Sequence, residues 1–117
     1  LAEKLGCNVV WRKGSPKLGN FSMRDSRAII RAPKPTCSSS FLTNLHELGH
    51  IALGHTAFLN APWWQGAPTL VRECEAWQWA LRAFPDADRD AIRGAAWALS
   101  TYVRRLTDEL KEAACAY

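Results

Sequence analysis

The chain has 117 residues, 48% of them apolar, and its 15 Lys and Arg against 11 Asp and Glu give a net charge of +4. That length suits one domain with one modest core and excludes two. No apolar run approaches the roughly 18 to 20 residues of a membrane-spanning helix, and no charged-then-apolar signal segment opens the chain.

A single domain over 1–117 is therefore expected, soluble and cytoplasmic. The chain opens on Leu1 rather than Met, which leaves room for its being one piece of a longer polypeptide. The basic surplus is small and scattered, which argues against direct nucleic-acid binding and is compatible with an acidic partner. Cys7, Cys37, Cys74 and Cys115 form no CxxC pair and are expected to be free thiols, buried or partly buried. Oligomeric state is not legible.

In chain order, residues 1–6 read as a short helix stopped at Gly6, followed by a β-rich run over 7–11. Gly14, Pro16 and Gly19 mark a turn. The runs 20–23 and 28–31 flank a polar stretch in a hairpin pattern. A Pro- and Ser-rich loop over 32–40 leads to a helix N-cap. Phe41, Leu42, Leu45, Leu48, Ile51 and Ala52 then keep helical spacing, and Gly54 supplies a stop, so a helix is expected over 41–53. After a second Pro/Gly loop over 60–68, Thr69 caps a helix that Pro85 ends, and 86–114 reads as a last long helix or a broken pair. The expected fold class is α+β: a small sheet of about three strands packed against three to four helices, one of them carrying an HExxH motif over 46–50.

All three histidines lie in the stretch HELGHIALGH, residues 46–55. On a helix, His46 and His50 project from one face and can reach one ion. Glu47, rotated by about 100°, is placed to take a proton from a water on the metal without ligating it. Zinc suits such a set, because a catalytic site uses three protein ligands and keeps a fourth position for water. Gly49, which costs a helix about 1 kcal/mol relative to Ala, suggests a close approach there. The third ligand is expected from the next helix, as Glu73 or Glu75. These two point to different faces, so only one can serve, and Glu73 shares the inward face with Ala76, Trp77 and Ala80. His55, beyond the helix stop, reads as a group supporting the ligands, a substrate-facing group or a polar helix end.

The run Leu45 to His55, followed by Glu73-Cys74-Glu75-Ala76-Trp77-Gln78-Trp79-Ala80 and Pro85, resembles the ImmA/IrrE family of zinc metallopeptidases, whose HELGH helix is followed by a helix of pattern E-x-x-A. The likeness spans roughly 1–85. Trp77 stands where the family usually has Asn or Asp, and Trp79 where it has Phe. The resemblance implies Zn²⁺ held by His46, His50 and Glu73, with Glu47 as general base. It also implies a protein substrate such as a DNA-binding transcriptional repressor in a bacterium, phage or mobile element. The alternative is a catalytically silent zinc-binding interaction or sensor module.

Of the six tryptophans, Trp77, Trp79 and Trp97 read as core, while Trp63 and Trp64 read as core or as one wall of a substrate groove. His55 or Tyr102 is a candidate donor to an oxyanion, set against a solvated position for Tyr102. Arg104, Arg105 and the charges from Asp108 to Glu112 read as a solvated helix face, with a docking surface as the other reading.

Overall fold

The computed structural model describes the backbone of residues 7–12, 20–24 and 27–33, and backbone and side chains of 37–55 and 62–115. The expected helix over 1–6, the turn at Gly14, Pro16 and Gly19, and residues 60–61 of the loop after the motif lie outside the described residues. Three backbone stretches, β1 (Cys7–Arg12), β2 (Asn20–Arg24) and β3 (Arg27–Pro33), run in the order β1-β3-β2. β3 pairs parallel with β1 and antiparallel with β2.

Three helices follow: α1 (Ser38–Ala52), α2 (Ala67–Ala83) and α3 (Arg89–Cys115). The α+β expectation is corrected by them. Where packing is described, over 37–55 and 62–115, the protein is all-α, with three helices, no strand and no sheet. The physical reason is that the helices close the core against one another. Leu42, Leu45 and Leu48 of α1 meet Trp77 and Ala80 of α2 and Ala91 and Ala95 of α3, all at most 6% exposed. Burying each leucine contributes about 1.5–3 kcal/mol. The last helix is continuous rather than a broken pair.

Local signals set the helix ends. At the start of α1 the Ser40 hydroxyl accepts from the Cys37 backbone N–H at 3.1 Å and donates to the Cys37 carbonyl at 3.0 Å. Thr69 does not cap α2 as expected. Gly66 occupies the cap, Pro68 sits in the first turn, and the Thr69 hydroxyl instead accepts the Gln65 backbone N–H at 2.8 Å, tying the preceding loop to the helix.

Two smaller expectations are also corrected, for Trp97 and for the exposure of Cys37 and Cys115. Trp97 is 50% exposed rather than core, because it lies on the outer face of α3. Cys37 and Cys115 are exposed, and Cys74 is half-buried. Among the described residues no helix is long and apolar enough to cross a membrane.

Candidate metal centre

The HELGH segment occupies the last two turns of α1, and the residues from Leu42 to His50 are buried throughout. α2 crosses this stretch at Gly49. A Cβ there would lie 2.9 Å from the Ala76 carbonyl oxygen and 3.2 Å from the Trp79 ring, so only a hydrogen fits. The close approach suggested by a glycine inside the helix is found. It carries Glu73, one turn before Ala76, up to the histidines.

His46 Nε2 and His50 Nε2 lie 2.7 and 2.8 Å from the same atom, Glu73 Oε2. These three residues form a group that can hold a metal ion, with donor atoms all within 4.8 Å of one another. The donors are two imidazole nitrogens and a carboxylate oxygen, the set that zinc takes in catalytic sites. A tetrahedral ion with bonds of about 2.1 Å spaces its donors roughly 3.4 Å apart, so each imidazole nitrogen would stand about 0.6–0.7 Å further from Glu73 Oε2 than the 2.7 and 2.8 Å found here. Of the two acidic candidates, Glu73 is the one brought to the histidines. Glu75 lies on the exposed side, its Oε1 3.8 Å from His55 Nε2.

The surroundings hold each donor in place. The His46 ring stacks on the buried Trp77 ring at 4.0 Å between centroids and 12° between planes, while its Nδ1 lies 3.1 Å from Glu47 Oε1. Gly54, with φ +76°, turns the chain after the C-cap of α1. That turn sends His55 back into the protein, where it is 7% exposed and its Nδ1 lies 2.8 Å from His50 Nδ1. From α3, the Tyr102 hydroxyl donates to Glu73 Oε1 at 2.8 Å. Trp64 stacks on Tyr102 at 6.3 Å and donates from its indole to Glu109 Oε1 at 2.6 Å. Trp63 is 67% exposed beside it, and the Arg105 guanidinium lies over both indole rings.

Electrostatics follow from this packing. Burial alone would lower His46, but its hydrogen bonds to Glu47 and Glu73, and their charges, prevail and raise it from 6.5 to about 9. Burial likewise works against the Glu73 carboxylate, yet the two histidines hold it far below the usual carboxylate range. Burial, followed by the Glu73 charge, pushes the Tyr102 phenol well above its ordinary value. His55 is lowered by burial and by neighbouring His50.

The sequence named His55 and Tyr102 without fixing where they point. It missed the ring of Trp77 against His46, since a tryptophan on an apolar stripe reads only as core. Comparison with known proteins returns no match: no family model, no curated protein and no solved structure matches this chain.

Proposed function

We propose that the chain is a zinc-dependent metallopeptidase of the ImmA/IrrE kind, acting on a regulatory protein such as a DNA-binding repressor. The observation that carries the reading is the convergence of His46 Nε2 and His50 Nε2 on one oxygen of Glu73, from two helices, within a buried HELGH segment. His46, His50 and Glu73 would hold the ion. Zinc bound there supplies a Lewis acid and brings the pKa of a water down to about 7.

The remaining steps belong to the chain. Glu47 Oε1 accepts from His46 Nδ1 and so fixes that ring. Glu47 takes the proton of the attacking water at Oε2 and then gives it to the amine released from the cleaved peptide bond. A bound ion would supply the positive charge that stabilises the substrate carbonyl oxygen as it becomes an oxyanion.

A second reading keeps the metal and drops hydrolysis: a silent zinc-binding interaction or sensor module. It is supported by Glu47 being only 3% exposed and already engaged by His46. Glu47→Gln separates the two. The peptidase reading expects cleavage of a candidate repressor to fall about 10²–10⁴-fold while one zinc per chain is retained. Equal behaviour of the wild type and the variant, with zinc kept in both, selects the silent module.

A further inference from the structure

The geometry points to Tyr102 as a positioning residue that makes Glu73 a one-oxygen ligand and thereby keeps a coordination position open for water. This inference rests on the metal-centre reading above. The two carboxylate oxygens of Glu73 are divided between different partners. Oε2 faces both imidazoles, at 2.7 and 2.8 Å, whereas Oε1 accepts the Tyr102 hydroxyl at 2.8 Å. A carboxylate whose second oxygen is occupied by a phenol donor has one oxygen to offer an ion.

The consequence is a coordination number. Two imidazoles and one carboxylate oxygen make three protein donors, and a tetrahedral ion then has one position left. Were Oε1 also to bind, that position would be filled and the site would be closed to water. Groups that orient a ligand from behind typically change metal affinity 10–100-fold when removed.

The hydroxyl is held firmly enough for this task. Tyr102 stands on α3, a helix separate from both helices that supply ligands, so its aim at Glu73 is set by packing of the whole body. The Trp64 ring lies nearly parallel to it, at 21°, and is itself tied to α3 through Glu109. Sequence position gives no hint of this link, because Glu73 and Tyr102 are 29 residues apart.

Tyr102→Phe removes the hydroxyl and keeps the ring. The test compares wild type and Tyr102→Phe, matched by circular dichroism, for Zn²⁺ affinity by chelator competition and for the visible spectrum of the Co²⁺-loaded proteins. We expect one Co²⁺ per chain in both, at least 10-fold weaker Zn²⁺ binding in the variant, and a shift in the visible d–d bands of bound Co²⁺ as Oε1 takes the place of water on the ion. Equal affinity and identical spectra would overturn the inference. So would weaker binding with an unchanged spectrum, since the hydroxyl would then contribute to packing alone. A wild type that takes up neither ion removes the metal-centre reading itself, and a wild type that binds while the variant matches it removes only the role of Tyr102.

Discussion

At the scale of single residues, the centre without an ion is a proton-bridged cluster in which His46 stands between two carboxylates. Its pKa is raised from 6.5 to about 9, so the stabilisation it gives the folded chain is complete below pH 6.5 and is lost as the pH rises through about 9. Glu73 behaves oppositely: its pKa is lowered, so its contribution is present above its ordinary 4.5 and is lost as the pH falls through the depressed value. A metal ion competes with the His46 proton, because a ligand nitrogen must give it up. Apparent Zn²⁺ affinity is therefore expected to rise about tenfold per pH unit between pH 7 and 9 and to level off above. Calorimetry at pH 7 in two buffers of different ionisation enthalpy checks this, with about one proton released per ion bound. Affinity independent of pH over this range would contradict the protonated His46. Residues of this kind were partly legible in the sequence: the i, i+4 spacing put His46 and His50 on one face, and the apolar stripe put Glu73 on the inward side. His55 was legible only as a position after a stop, because its return to His50 depends on the positive φ of Gly54.

Among the elements, the crossing of α1 and α2 at Gly49 determines whether Glu73 reaches the histidines. In a solvated helix, Gly→Ala stabilises by roughly 0.5–1 kcal/mol. Here the sign reverses, since the added methyl meets the backbone oxygen of Ala76 at 2.9 Å, which cannot rotate away as a side chain would. Gly49→Ala is expected to cost about 1–3 kcal/mol in denaturant unfolding and to weaken metal binding by forcing the helices apart. A stabilised variant with unchanged affinity would contradict the close crossing. The helices themselves were legible because 3.6-residue periodicity is strong in α1 and α2, to within three residues at their ends. What the sequence did not carry is which elements share a core. A β-rich run and a hairpin pattern near the start read as a sheet packed on helices, whereas the described core is built from leucines and alanines of three helices, with Trp77 between them. Trp97 misled for a related reason: its type suggests burial, but its place on α3 faces outward.

For the whole molecule, the candidate ligands come from two helices and their support from the third, so binding of an ion there would be linked to folding. An ion that binds only the folded chain at 100 times its Kd adds about 2.7 kcal/mol, which for a body of this size raises Tm on the order of 10 °C. The central claim is that His46, His50 and Glu73, and not Glu75, form one metal site. The most direct measurement is elemental analysis, after exhaustive dialysis against limiting Zn²⁺, of the wild type, His46→Ala, Glu73→Ala and Glu75→Ala, each with a melting curve with and without the ion. The account predicts one zinc per chain and a Zn²⁺-dependent rise in Tm for the wild type and Glu75→Ala, and loss of both in His46→Ala and Glu73→Ala. Zinc retained by Glu73→Ala and lost by Glu75→Ala, or no zinc in the wild type, would contradict it.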